Sequence, residues 1–182
     1  LGVPVCFVPG NHDPKDVPLP SHTDRRVTEL AGLQIYGIGG AGPDRFGLPY
    51  EWDEDEIRRL QVPDVDVLLC HSPPFGTPLD LLAGGERHVG SEAIAELARR
   101  SRGLLVCGHI HEGAGAVVLG DTLCVNVGGL GEPYGRARVA IARFTLHGPT
   151  RDVHVTLTDL DADPGVDPDQ TWGHTYAAPG PR

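Results

Sequence analysis

Three short stretches hold the residues able to do chemistry. The first reads Cys6-Phe7-Val8-Pro9-Gly10-Asn11-His12-Asp13, and the second Leu68-Leu69-Cys70-His71-Ser72-Pro73-Pro74. The third reads Leu105-Val106-Cys107-Gly108-His109-Ile110-His111-Glu112. Each is an apolar, strand-like run that ends in polar side chains. Imidazoles with an amide oxygen make a hard-to-intermediate donor set suited to zinc, manganese or iron. In His109-Ile110-His111 a period of two puts both imidazoles on one side of the backbone and the isoleucine on the other. Gly10 and Gly108 let the chain turn where a Cβ would obstruct. Taken singly, each stretch says little, because an isolated H-x-H is more often a pair of surface histidines. Three in order, each closing an apolar run, point to one site. If the runs are parallel neighbouring strands, Asn11, His71, His109 and His111 converge at one sheet edge, where open α/β sheets build their active sites.

The elements needed to position them are visible in the pattern. Strands are predicted over Val3–Val8, Val27–Leu30, Leu33–Ile38, Val65–Cys70 and Leu104–Cys107, with Val3–Val8 placed in a sheet interior. A hairpin joins Ala116–Leu119 to Thr122–Val127 across Gly120-Asp121. A second joins Ala137–Leu146 to Asp152–Thr158 across His147-Gly148-Pro149. Helices are predicted over Glu51–Gln61, with a solvated acidic start, and from Ser91, a good N-cap, to Ser101. Gly39–Tyr50 and Ser72–Gly90 are loops, the latter bringing Asp80, Arg87 and His88 near the strand ends. Residues 159–182 are rich in Asp, Pro and Gly and are expected to form a flexible tail. The fold class is therefore α/β, in one domain over residues 1–158.

Composition narrows the function. The chain has 182 residues, with 25 acidic against 15 basic and a net charge of −10. Binding along a phosphate backbone needs the opposite sign, so extended nucleic-acid binding is not expected. No apolar run approaches the ~18 residues of a membrane span. Cys6, Cys70, Cys107 and Cys124 sit singly in apolar runs and form no C-x-x-C pair, as expected of buried thiols in a reduced cytoplasm. There is no Met, and the chain opens Leu1-Gly2-Val3, which reads as a processed chain or a piece of a longer one.

The motifs VPGNHD, CHSPPFG and CGHIHEG together resemble those of the calcineurin-like metallophosphoesterases, over roughly residues 3–144, and Asn126-Val127-Gly128-Gly129 resembles the turn that follows GHxH there. The resemblance implies a β-sandwich flanked by helices and a hydrolase of phosphate monoesters or diesters with two divalent metal ions (Mn, Fe or Zn). Asn11, His71 and His109 match ligands of one metal, His111 matches a ligand of the other, and His12 matches the non-ligand histidine that assists the leaving group. The implied substrate is a small phosphate ester or nucleotide. The family pattern opens with D-x-H and GDxxD ahead of GNH. Neither has room here, so the fold is expected to lack its first strand–helix units, and the 182-residue chain is expected to be inactive on a nitrophenyl ester. Asp152-Val153-His154 is a D-x-H in the wrong place, a weak candidate for a permuted ligand pair. The alternatives are a non-catalytic scaffold of the same fold and a mononuclear metal-binding protein.

Overall fold

The apolar runs of the sequence become the centre of a sheet. A computed structural model describes residues 2–43, 46–131 and 135–180. Its strands are β1 (Val27–Leu30), β2 (Leu33–Ile38), β3 (Val67–Cys70), β4 (Arg102–Cys107), β5 (Gly115–Leu119), β6 (Asp121–Asn126), β7 (Arg138–His147), β8 (Thr150–Asp159) and β9 (Asp169–Ala177). Two α-helices are described, α1 (Glu54–Arg58) and α2 (Glu92–Arg100). Six strands pair in the order β1-β2-β3-β4-β6-β5, and β7-β8-β9 make a second sheet. Within the larger sheet β2, β3, β4 and β6 run parallel, while β1 and β5 are antiparallel at the edges.

The central strands are apolar on both faces because each face meets a different layer. Leu68, Cys70, Leu105, Cys107 and Cys124 pack with Ile57 of α1 and Ile94, Leu97 and Ala98 of α2. The alternate residues Val67, Leu104, Leu123 and Val125 pack against Val153 and Val155 of β8 and Tyr176 of β9. Helices, a six-stranded sheet and a three-stranded sheet thus stack in that order, giving the helix-flanked α/β sandwich expected from the sequence. Asp66 lies in the predicted Val65–Cys70 run, immediately before β3. It is 1% exposed and accepts hydrogen bonds from the Gln34 N–H, Arg151 Nε and the Tyr176 hydroxyl, linking the two sheets.

The acidic segment is less solvated than its composition suggests. Ser91 caps α2 by accepting from the Ile94 N–H at 3.1 Å. The Glu54 carboxylate accepts from the Glu92 and Ala93 N–H groups at 3.2 and 2.6 Å, an anion at the positive end of α2. Glu51 accepts from the Phe46, Gly47 and Leu48 N–H groups. Helix α1 is shorter than predicted because Trp52 N–H donates to the Ala41 carbonyl and holds the segment before it extended.

Two other expectations are corrected. Val3–Val8 is not a strand in a sheet interior. It makes a single bridge, Phe7 to His22, and Val3 and Val5 are 65% and 59% exposed. Pro4 and Pro9 lack the N–H groups that a two-sided ladder would need. Residues 159–182 do not remain an irregular tail, since β9 pairs along β8 from Thr150 to Thr158. The Asp/Pro/Gly-rich composition belongs to the β8–β9 connection, whereas Trp172 and Tyr176 of β9 turn toward the core. Asp44 and Arg45 of the predicted Gly39–Tyr50 loop, Leu1 at the chain's start and residues 181–182 at its end lie outside the described residues.

Candidate metal centre

β3 and β4 end side by side, with Leu69 opposite Val106, and the first residue beyond β3 is His71. Its N–H donates to the Ile38 carbonyl at 2.9 Å, and its carbonyl accepts from the Gly108 N–H at 3.1 Å. The peptide carrying this imidazole is therefore held from both neighbouring strands. Asn11 arrives by a loop rather than a strand. The Pro9 carbonyl accepts from the Gly40 N–H at 2.9 Å, the Asn11 carbonyl from the Tyr50 N–H at 3.1 Å, and the Gly10 N–H donates to Asp13 Oδ2 at 2.8 Å. A Cβ at Gly10 would lie 3.0 Å from Cε1 of His71, so glycine lets the loop approach the ring.

His109 has φ 67°, a left-handed conformation uncommon outside glycine and costly enough to be found mainly where function requires it. The loop it opens is fixed by Asn126, which is fully buried. Asn126 Nδ2 donates to the Ile110 and Leu79 carbonyls, both at 2.8 Å, and its Oδ1 accepts from the Gly128 N–H at 2.8 Å. His111 then begins a short 3₁₀ turn, His111–Gly113.

These elements bring the five predicted residues together. Asn11, His12, His71, His109 and His111, with Gly10 and Asp13, line one open cavity of about 300 Å³. His71 Nε2 lies 3.1 Å from Asn11 Oδ1. The His71 and His109 rings meet edge to face with centroids 4.9 Å apart. Asp152 and His154 are remote from this cavity, on β8, where Asp152 pairs with His147 and accepts from Thr175. Sequence reasoning did not single out Asp13, nor the adjoining wall of Ala41, Gly42 and Pro43, which lines a second cavity sharing Asn11 and His109. The run Gly39-Gly40-Ala41-Gly42-Pro43, too poor in side chains for a loop that merely spans solvent, was the available signal.

Burial, reinforced by neighbouring His109, pushes the His71 pKa down to about 3. Burial also lowers that of His109, with His111 and His12 adding to the effect. Both rings are thus neutral near pH 7 and keep the lone pair that ligation requires. Among the described residues, no three His, Cys, Asp or Glu side chains come together closely enough to hold a metal ion. The donor set is instead mixed, two neutral imidazoles and an amide oxygen, donor types that divalent cations take. For a second cation the same reading offers His111.

The lowered pKa has a consequence for the metal-free protein. The unfolded chain takes up a proton at His71 below about pH 6.5 whereas the folded one does not, so stability falls as pH drops through that value toward the folded pKa. We expect a loss of about 1 kcal/mol per pH unit below pH 6, read from urea midpoints. His71→Gln should flatten the profile, and an unchanged slope in that variant would remove His71 as its source.

Side chains delivered from the ends of parallel strands to one edge of an α/β sandwich define a protein with its site at the strands' carboxyl ends. The model of the calcineurin-like phosphoesterases matches residues 1–113, more than half of the sequence, and the chain belongs to that family. An uncharacterized protein of Methanocaldococcus jannaschii is 32% identical over 136 residues, covering 67% of this chain and 62% of that protein. A UPF0046 protein of Caenorhabditis elegans is 32% identical over 119 residues, covering 58% of this chain and 27% of that protein. The chain thus spans less than two thirds of the length of either relative. A solved crystal structure superposes with a TM-score of 0.59 at 16% identity, over 94% of this chain and 66% of that one, and supports the fold.

Proposed function

We propose that the protein acts as a metal-dependent hydrolase of phosphate esters, on a small ester or nucleotide rather than a nucleic-acid tract. The observation that carries this reading is the convergence of Asn11, His71 and His109, with His12 and His111, on one cavity at the strand ends. Its support is family membership, and the net charge of −10 disfavours a polyanionic substrate. Among the described residues no helix is long and apolar enough to cross a membrane.

Asn11, His71 and His109 would hold one divalent cation, and His111 would serve a second. A bound divalent ion supplies Lewis acidity toward phosphoryl oxygens and lowers the pKa of water. The chain does the rest. The Ile38 and Gly108 contacts fix His71, the Asn126 clamp fixes the His109–His111 loop, and the Gly10–Asp13 turn places Asn11 against His71. His12 is exposed at the cavity mouth, free of the cradle around Asn11, and there it can give a proton to the departing oxygen.

Manganese titration of the metal-free protein tests the centre. His71→Ala and His109→Ala should each weaken binding by well over tenfold, since even outer-shell changes cost ~10–100-fold. Unaltered affinity in both variants would sink the assignment. Metal binding without phosphoester turnover in the full-length protein would leave a metal-binding protein in place of an enzyme.

A further inference from the structure

Resting on that reading, we propose that a trough beside the histidine cluster is the leaving-group subsite, taking an apolar, ring-sized group that ends in an uncharged hydrogen-bonding substituent, and that His88 contacts that substituent. The cavity of about 240 Å³ that shares Asn11 and His109 with the histidine cluster is walled by Ala41, Pro43, Leu82 and Val89. A further cavity of about 260 Å³ shares Pro43, Arg87 and Val89 with it and reaches Phe75 and His88. The two cavities thus share a wall of Pro43, Arg87 and Val89, which extends from Asn11 and His109 toward the His88 imidazole, with Glu51 also lining the first. A phosphate held at Asn11 and His109 would direct its ester oxygen's substituent along this wall.

The far end is built with care for the direction of one ring. Asp80 is fully buried. Its carboxylate accepts from the N–H groups of Gly76, Thr77 and Gly90 at 3.2, 3.0 and 2.9 Å. Three backbone donors already tie the Ser72–Gly90 loop together. The same carboxylate also accepts from His88 Nδ1 at 2.6 Å, and the Phe75 ring meets the imidazole edge to face at 5.7 Å. With Nδ1 turned to Asp80, Nε2 lies on the opposite side of the ring and has no hydrogen bond among the described residues. The His88 side chain is 36% exposed. A carboxylate that orients one ring nitrogen while the other is offered outward is the arrangement by which proteins present a histidine to a ligand. Asp80 is thus a positioning residue, and His88 is the contact.

The neighbours decide the ligand's charge. Glu54 and Glu92 border the same end of the trough. Glu54 is held at the N-terminus of α2, and Glu92 pairs with Arg58. With both carboxylates so engaged and the Arg87 guanidinium lining both cavities, this end carries both signs and offers no net charge to bind, which suits a neutral donor such as a hydroxyl.

The test is a titration of the zinc-supplied protein with 4-hydroxyphenyl phosphate, followed through the histidine ring resonances by NMR. We expect the His88 and His109 rings both to shift, and methyl phosphate to shift His109 alone. A shift at His109 with none at His88 overturns the subsite and keeps the phosphoesterase reading. A shift at His88 alone keeps the ring-binding trough and its His88 contact but overturns the phosphoesterase reading and with it the leaving-group assignment; no shift at either ring overturns trough and reading alike. His88→Ala should weaken 4-hydroxyphenyl phosphate relative to phenyl phosphate by about tenfold, the value of one hydrogen bond, and an equal effect on both probes contradicts the contact. Asp80→Asn should diminish the His88 shift with 4-hydroxyphenyl phosphate while phenyl phosphate binds as it does to the wild type, an outcome that a loosened Ser72–Gly90 loop would not give.

Discussion

On the proposed phosphoesterase reading, replacing His12 with alanine should lower kcat by ~10²–10⁴-fold, the usual contribution of a positioned general acid or base, while the bound metal per chain stays constant. His12 follows Asn11 directly, so the turn that sets the amide oxygen 3.1 Å from His71 also brings His12 to the wall of the cavity. Unlike His71 it is exposed, and its backbone neighbours rather than its ring make the contacts that close the turn. A ring so placed is open to solvent and substrate, whereas the buried His71, with its pKa pushed down to about 3, stays neutral near neutral pH. Metal content by mass spectrometry alongside kcat separates the two roles. If the variant loses metal but keeps its turnover per bound ion, His12 is a ligand.

The difference between these two histidines also shows what the sequence could and could not reveal. His71 and His109 were legible because each closes an apolar run, and apolar runs buried on both faces become parallel central strands; once β3 and β4 pair, their ends must be neighbours. The Val3–Val8 run looked equivalent in composition, yet two prolines and the single bridge to His22 keep it outside the ladder. Asn11 still reaches the site because backbone bonds from Gly40 and Tyr50 carry its loop there. Those bonds come from residues about thirty to forty positions away and leave no local pattern. β9 was hidden for a related reason. Its alternation of Trp172, His174 and Tyr176 is weak beside the Asp/Pro/Gly-rich connection before it, and its pairing depends on β8 being present. The trough was illegible because it is made of gaps between loops, and only the placement of Asp80 and His88 shows that one wall is organised.

The largest expected loss of stability comes from Asp66, which no reading of the site would single out. Its backbone already joins strands, the N–H donating to the Gln34 carbonyl and the carbonyl accepting from the Leu104 N–H, both at 3.0 Å. The carboxylate adds the second sheet. Oδ2 accepts from the Gln34 N–H at 3.0 Å, and Oδ1 accepts from Arg151 Nε at 3.3 Å and the Tyr176 hydroxyl at 3.1 Å. The side chains of Asp66 and Arg151 are 2% and 16% exposed, so solvent can do little to replace either partner. Asp66→Ala would leave a largely covered guanidinium without its counter-charge and an N–H and a hydroxyl without an acceptor. Breaking such a pair costs about 3–5 kcal/mol, against about 1 kcal/mol for an ordinary substitution. Removing both charges is a different experiment. Asp66→Leu with Arg151→Leu strands no ion, and the double variant should recover the ionic part of the Asp66→Leu loss, while the Gln34 N–H and the Tyr176 hydroxyl still lack their acceptor. Urea midpoints of the wild type, Asp66→Leu, Arg151→Leu and the double variant complete the cycle. A near-additive result would show that the carboxylate and guanidinium act independently.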